Sequence, residues 1–226
     1  MNNFFVTTEG AWDDGSVRLK VVGIVIVVAI IVLLLITAAI LRHKNASKKR
    51  TLTTKQLVFS ALAIALAMVC SLVKLFEAPM GGSVTLCSML FIVLIAYWYG
   101  PYVGIMTGVA YGLVQFVMEP IFYTIPQMLF DYPLAFGALG LAGFFNRKKW
   151  GIQIGYMIAV LGRFLFATIS GVIFFASYAP EGMHPLVYSI AYQGAYLLPE
   201  AIITLIIISI PAVAKALAQV QRQATT

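Results

Sequence analysis

The stretch YTIPQMLFDYPLAFGALGLAGFF, from Tyr123 to Phe145, decides the fold of this 226-residue chain. It is apolar enough to cross a lipid bilayer as a helix, and Asp131 is its single charged residue. An ionised carboxylate in hydrocarbon costs at least about 2.5 kcal/mol, so an Asp there marks a functional site unless it lies close enough to a span end to reach water. Cost and position favour the functional interpretation. We therefore predict that Asp131 marks a site for a small cationic solute inside a helical membrane protein.

The composition extends this interpretation to most of the chain. Hydrophobic residues make up 62% and charged residues 10% of the sequence, and the mean hydropathy is +0.96. Soluble domains are about half apolar and about a quarter charged, so we expect an all-α integral membrane protein without a sizeable soluble domain.

The sequence contains no GxxxxGKS/T, HExxH or GxSxG motif, which argues against an enzyme and assigns any ATP hydrolysis to another subunit. Cys70 and Cys87 lack metal-site spacing, and we expect no cofactor and no metal.

The charge distribution predicts the orientation of the chain in the membrane. The net charge is +7, and eleven of the fifteen Lys and Arg residues fall at 42–55, 147–149 and 215–222, where Asp and Glu do not occur. Such clusters are typical of cytoplasmic loops, with attraction to anionic membrane lipid as a secondary effect, and they argue against a nucleic-acid partner. We expect a multi-pass cell-membrane protein with its N-terminus outside and its C-terminus in the cytoplasm.

Apolar runs divide the chain into seven predicted spans. The predicted segments are an extracellular tail at 1–20, an extra transmembrane anchor at 21–41, a basic cytoplasmic linker at 42–56, a six-helix domain at 57–212 and a cytoplasmic tail at 213–226. The spans within the domain are Leu57–Phe76, Val84–Tyr99, Tyr102–Met118, Tyr123–Phe145, Ile152–Ala176 and Pro185–Ile210. A cleaved signal peptide is the alternative for 21–41, but no small-residue cleavage site follows that run.

Small residues predict two faces for close helix packing. Ala61 and Ala65 lie one helical turn apart, and such a pair lets another helix approach closely. That helix could belong to this chain or to a partner, and the pattern supports both equally. Gly104, Gly108 and Gly112 recur at every fourth position and predict a smooth packing face.

Charged and aromatic residues gather toward the outer half of the last spans. Asp131 and Arg163 are the only charges deep in consecutive spans, and a structural ion pair between them is one interpretation. Rings beside an anion also suit a flat organic cation, although aromatic residues form an interfacial belt in most membrane proteins. The neighbouring residues are Tyr132, Phe174, Phe175, Tyr178, Tyr188 and Gln193. Glu200 follows Pro199 in the last span, where structural support and ligand contact are equally plausible roles.

Four motifs resemble one known family: PMGGSV at 79–84, LFDYPLAFGALGLAG at 129–143, ISGVIFFASYAPEGM at 169–183 and VYSIAYQGAYLLPE at 187–200. In this order and spacing they resemble the thiamin-specific S-component of energy-coupling factor ABC transporters, over about residues 57–210. The resemblance implies a six-helix, S-component-like bundle that binds thiamin from outside and has no ATPase. It also implies a shared transmembrane coupling protein and two ATP-binding cassette ATPases as partners. The extra N-terminal transmembrane helix is not part of the resemblance.

The resemblance implies a substrate site made of Asp131, Tyr132, Arg163, Phe175, Tyr188 and Gln193. Asp131 corresponds to the key carboxylate and Arg163 to its basic partner. Phe175 corresponds to the aromatic residue that stacks on the ligand, and Tyr188 to the tyrosine that contacts the pyrimidine. Two positions depart from the family pattern, because Ala167 replaces a His and Gln193 replaces an Asn. A related heterocycle, such as a thiamin precursor or another vitamin, is therefore an open alternative.

The resemblance also assigns a gate and a coupling surface. The loop after the first helix of the bundle caps the site in the family, and it corresponds here to residues 77–83. Its gating residues are then Pro79, Gly81, Gly82 and Ser83. The alanine pair that faces the coupling protein corresponds to Ala61 and Ala65. A membrane anchor or assembly protein without a solute is the second hypothesis, and an intramembrane enzyme is disfavoured because the two histidines lie far apart in sequence.

Overall fold

The computed structural model describes residues 6–7, 18–19, 52–78, 82–146, 148 and 150–226. The anchor predicted at 21–41 lies outside the described residues, as do most of the predicted outer tail and most of the basic linker. Within the predicted tail, Val6–Thr7 (β1) pairs antiparallel with Arg18–Leu19 (β2).

Seven helices dominate the described chain beyond residue 52. They are α1 (Thr54–Leu72), α2 (Ser88–Tyr99), α3 (Pro101–Met118), α4 (Ile125–Phe145), α5 (Gly151–Phe174), α6 (Pro185–Ser209) and α7 (Pro211–Thr225). The five helices α1, α3, α4, α5 and α6 are long and apolar enough to cross a membrane. Together with α2 they form a six-helix bundle, which confirms the predicted all-α membrane class.

A β-hairpin replaces the simple loop that we expected after the first helix of the bundle. The predicted spans Leu57–Phe76 and Val84–Tyr99 are both too long, because Lys74–Glu77 (β3) pairs antiparallel with Ser83–Thr85 (β4). As a result α2 keeps only 12 residues. At about 1.5 Å per residue α2 is about 18 Å long, which is shorter than a hydrocarbon core of about 30 Å. Hydropathy does not distinguish a short apolar strand from the end of a helix, so the pattern could not reveal the hairpin.

Glycines bring α3 and α4 into backbone contact, as their fourfold spacing predicted. A Cβ atom on Gly108 would lie 2.3 Å from the carbonyl oxygen of Phe136, and one on Gly112 would lie 2.5 Å from that of Tyr132. Neither distance leaves room for a side chain. The close approach therefore fixes the position of the α4 turn that carries Asp131.

The helix α4 changes its helix type at Asp131. It begins behind the N-cap residue Thr124, becomes π-helical over Phe130–Leu134 and ends as a 3₁₀-helix over Ala138–Phe145. Pro133 lies inside the π-helical turn, and because proline has no N–H group it cannot continue the α-helical hydrogen bonds. The wide turn includes Asp131, and such turns often occur at functional sites.

The small residues of α1 divide between two faces. Ala63, Ala67 and Ser71 are buried against the bundle, whereas Ala61 and Ala65 are exposed. Packing of the Ala61 and Ala65 pair against another helix of this chain, one of the two interpretations of the sequence, is therefore wrong for the described residues.

The predicted cytoplasmic tail at 213–226 is mostly helical. Pro211 lies in the first turn of α7, where its missing N–H group costs nothing. The hydroxyl of Tyr99, at the end of α2, donates a 2.9 Å hydrogen bond to the carbonyl oxygen of the buried Ala224. This bond and the packing of Leu217 against the core hold α7 at the end of α2 that is remote from the hairpin.

Candidate ligand-binding site

A cavity of about 370 Å³ lies between the hairpin and the helices of the bundle. All six residues predicted for the site line it: Asp131, Tyr132, Arg163, Phe175, Tyr188 and Gln193. They come from α4, α5, α6 and the residue that follows α5, so only the folded bundle gathers them. Their contact with a ligand stays a prediction, whereas their common position on the cavity wall is a property of the fold.

A residue that we did not predict holds Asp131. The amide nitrogen Nε2 of Gln127 donates a hydrogen bond of 2.6 Å to Oδ2 of Asp131 and one of 3.1 Å to the carbonyl oxygen of Ile121. The amide oxygen of Gln127 accepts a 3.0 Å hydrogen bond from the backbone N–H of Tyr123. The Gln127 side chain is uncharged and belongs to none of the four motifs. Its spacing of four residues from Asp131 was the only available signal.

Arg163 does not form the ion pair with Asp131 that the sequence left open. The ion pairs within 4.0 Å among the described residues do not include this one. Instead the Cζ atom of Arg163 lies 4.2 Å from the centroid of the Phe136 ring, in a cation–π arrangement. Asp131 and Arg163 both line the cavity, and they do not neutralise each other in a direct ion pair.

Six aromatic rings line the cavity: those of Tyr132, Phe136, Phe175, Tyr188, Tyr192 and Tyr196. The rings of Tyr188 and Tyr192 stack with centroids 6.1 Å apart and an interplanar angle of 29°. Phe174 and Tyr178, which we grouped with them, do not line it. Since the six rings line one cavity, an interfacial belt alone does not account for them.

Two of the predicted polar contacts are already engaged by the protein. The hydroxyl of Tyr132 donates to the carbonyl oxygen of Glu119 at 2.8 Å, so this residue offers the cavity mainly its ring. The amide nitrogen of Gln193 donates to the carbonyl oxygen of Ala167 at 3.2 Å, and its amide oxygen accepts from the hydroxyl of Tyr196. Ala167 and Gln193, the two residues that depart from the family pattern, are therefore in direct contact.

The hairpin lies against α6 at the cavity. The backbone N–H of Gly82 donates a 3.0 Å hydrogen bond to the hydroxyl of Tyr192, and a Cβ atom on Gly82 would lie 2.9 Å from that oxygen. Gly82 and Ser83, two of the predicted gating residues, line the cavity. Pro79 and Gly81 lie outside the described residues.

An ion-pair network joins the hairpin to the segment that follows α3. The Nζ atom of Lys74 lies 2.8 Å from a carboxylate oxygen of Glu77 and 2.8 Å from one of Glu119. The hydrogen bonds that the Lys74 amine donates to Glu119 and then to Glu77 raise the pKa of Lys74 above its ordinary value. Lys74 thus connects the hairpin to the segment that follows α3.

Glu200 supports the hairpin and the start of α2. Only 1% of its surface is exposed. Its Oε2 atom accepts hydrogen bonds from the backbone N–H of Thr85 at 3.2 Å and from the hydroxyl of Thr85 at 2.8 Å, and its Oε1 atom accepts one from the hydroxyl of Ser88 at 3.1 Å. The side chain of the N-cap residue Cys87 makes no capping hydrogen bond, so the Glu200 carboxylate supplies the negative charge at the helix N-terminus. The contacts favour structural support as the role of Glu200, although it also borders the cavity.

The charges on the cavity wall favour a cation. The lining residues include the acids Glu77, Glu119, Asp131 and Glu200 and the bases Lys74 and Arg163. Acids therefore exceed bases by two. The described residues contain no cluster of His, Cys, Asp or Glu suited to a metal ion. An excess of acids beside aromatic rings suits a flat organic cation that can lie against those rings.

Comparison with known proteins agrees with this geometry. The sequence profile of the family described as thiamine transporter protein matches residues 57–219. The thiamine transporter ThiT of Bacillus subtilis is 33% identical over 178 residues, which cover 73% of this chain and 91% of that protein. ThiT of Lacticaseibacillus paracasei is 27% identical over 97 residues, which cover 37% of this chain and 48% of that protein.

A solved structure of ThiT from Listeria monocytogenes matches with a TM-score of 0.61 and 25% sequence identity, covering 69% of this chain and 91% of the other. The two ThiT relatives are named as transporters rather than as enzymes. The transporter family and the five long apolar helices support a multi-pass membrane protein.

Replacing Glu200 by Ala leaves the buried donors of Thr85 and Ser88 without their acceptor. We expect the free energy of unfolding to fall by about 3 kcal/mol, or the melting temperature by about 6–12 °C. Glu200→Gln keeps one acceptor oxygen and should lose roughly half as much. Thermal unfolding of purified protein in detergent measures both, with Glu181→Ala in the exposed loop between α5 and α6 as the neutral control. A melting temperature for Glu200→Ala equal to that of the wild type would contradict the supporting role.

Proposed function

This chain belongs to the thiamine transporter protein family, and we propose that it is the substrate-binding membrane subunit of an energy-coupling factor importer for thiamin. Thiamin combines a permanently charged thiazolium ring with an aminopyrimidine ring. The observation that carries the proposal is a cavity that combines an excess of two acidic residues with six aromatic rings. Its volume of about 370 Å³ falls within the usual range for small-molecule sites, about 300–1,000 Å³.

In this proposal Asp131 is the central anion of the site. Its carboxylate accepts a hydrogen bond from the aminopyrimidine or neutralises the thiazolium, because a carboxylate has acceptor capacity beyond the bond from Gln127. Phe175 and Tyr188 supply ring contacts at the outer ends of α5 and α6. Gln193 supplies a polar contact from an amide that the protein already orients. Arg163 acts from its position over Phe136 by shaping the field around the anion, since it makes no direct ion pair with Asp131.

The proposed ligand has one specific rival. Ala167 and Gln193 depart from the family pattern and touch each other beside the cavity, which suits a thiamin precursor or another related heterocycle equally well. Such a ligand would use the same anion and the same rings. Competition by the pyrimidine precursor and by other vitamins separates the candidates.

We extend the proposal to the partners and the orientation of the chain. Ala61 and Ala65 form an exposed small-residue face on α1, which suits close docking of a helix of a coupling protein with two ATP-binding cassette ATPases. The start of α1 and the helix α7 lie on the side that carries Lys55, Lys215 and Arg222, which supports a cytoplasmic C-terminus and an outer hairpin. The proposed function involves no chemical change of the ligand.

Asp131→Asn keeps the shape of the side chain and removes its charge. We expect the affinity for thiamin to fall at least about 30-fold, the lower range for removing one partner of a buried charge pair. Quenching of aromatic fluorescence in a thiamin titration of purified protein measures the affinity. Glu181→Gln, the same chemical change on the outer loop, should bind as the wild type does.

The two ways in which this experiment can fail have different meanings. Wild-type protein that ignores thiamin but binds another heterocycle tightly would refute the ligand and keep the transporter class. If Asp131→Asn binds thiamin as tightly as the wild type does, Asp131 is not the central anion of the site. If no solute binds to the wild type and partner co-purification of Asp131→Asn is unaffected, the membrane-anchor hypothesis replaces the proposal.

Ala65→Trp places a bulky ring on the exposed face of α1. We expect thiamin uptake into cells to fall about tenfold or more, because the ring keeps the coupling protein at a distance, while the affinity of the purified protein for thiamin stays unchanged. Leu165→Trp, at a residue on α5 that is 60% exposed, is the matched control and should support normal uptake. Normal uptake by Ala65→Trp would contradict the assigned coupling face.

A further inference from the structure

We propose that Gln127 is a positioning residue for ligand recognition, which holds the carboxylate of Asp131 in one orientation and ties it to the outer segment 119–124. The inference rests on the proposed function and takes Asp131 as the counter-ion of the thiazolium ring, because it assigns Gln127 a part in binding the cation. Gln127 itself does not line the cavity. It acts on a ligand only through Asp131.

The side chain of Gln127 has a fixed orientation. It is completely buried and makes three hydrogen bonds, two as donor and one as acceptor. The backbone N–H of Tyr123 requires an acceptor, which places the amide oxygen toward the outer segment. The NH₂ group must then face Asp131 and the carbonyl oxygen of Ile121, which both accept. Reversing the amide would place donor against donor at Tyr123 and acceptor against acceptor at the other two contacts.

This orientation has a direct effect on Asp131. A hydrogen bond of 2.6 Å from a buried amide removes rotational freedom from the carboxylate before a ligand arrives. Ligand binding then costs less conformational entropy of the Asp131 side chain, which is how preorganised sites gain affinity. The amide is neutral, so it holds the anion without cancelling the charge that attracts a cation.

The same amide connects the anion to the outer surface. Ile121 and Tyr123, both bonded to Gln127, lie in the segment between α3 and α4. Tyr132 also binds this segment, because its hydroxyl accepts a 2.9 Å hydrogen bond from the backbone N–H of Ile121. The cavity lining includes Ile121. The Gln127 side chain thus fixes both the carboxylate of Asp131 and the part of the cavity wall at Ile121.

The test compares two ligands on one variant. Gln127→Met keeps the length of the side chain and removes the donors, and it should weaken thiamin binding about 10- to 100-fold, the range for a hydrogen bond to a charged group. A thiamin analogue with a neutral thiophene ring in place of the thiazolium should lose less than about threefold, because it depends less on the charge of Asp131. In the Asp131→Asn background, Gln127→Met should change thiamin affinity little.

Thr124→Ala is the matched control. The hydroxyl of Thr124 accepts a hydrogen bond from the backbone N–H of Gln127, so the variant weakens the same helix start without touching the amide. Its ratio of affinities for the two ligands should equal that of the wild type. If Gln127→Met does not fold, Gln127→Asn serves instead, because its amide is one methylene too short to reach both Asp131 and Tyr123.

Equal losses for both ligands would reduce Gln127 to a structural residue and overturn the inference. Unchanged thiamin affinity would overturn it as well. Wild-type protein that does not bind thiamin would overturn the proposed function instead, which the wild-type titration reveals before any variant is compared.

Discussion

A carboxylate inside a membrane bundle must be hydrogen-bonded or neutralised, and the rest of the site follows from how Asp131 meets this constraint. It accepts a hydrogen bond of 2.6 Å from the neutral amide of Gln127, while Arg163 lies over the ring of Phe136. The protein therefore stabilises the anion without cancelling it. A cavity whose acids exceed its bases by two then attracts a cation, and the surrounding rings select a flat one.

Backbone contact between α3 and α4 places the helical turn that carries this anion. Gly108 and Gly112 press α3 against α4 at the turn that contains Asp131, and Pro133 widens that turn. On the opposite wall, α6 binds the hairpin through Tyr192 and supports its second strand through Glu200. The packed helices and the attached hairpin line the same cavity, so both contribute to the surface that a solute would contact.

Much of this could be predicted from the sequence because the bilayer restricts the choices. Apolar runs gave the bundle helices, with errors at the ends of α1 and α2, where a hairpin and an apolar helix end have the same hydropathy. The cost of burial identified Asp131, and the family motifs gave the residues that share its cavity. The direct ion pair of Asp131 with Arg163 was one interpretation of the sequence, and it does not form among the described residues. Sequence spacing alone could not decide this, because it does not determine where a long side chain points. Gln127 was missed because an uncharged amide becomes informative only when its partners are known.

We expect the cavity beside Asp131 to bind a flat organic cation. Mass spectrometry of the small molecules released by heat from purified wild-type protein tests it without any assumption about the ligand. We predict thiamin or a closely related cationic heterocycle, in close to one copy per chain, and its absence from Asp131→Asn protein prepared in the same way. An anionic metabolite, or the same small molecules in equal amounts from both proteins, would contradict the claim.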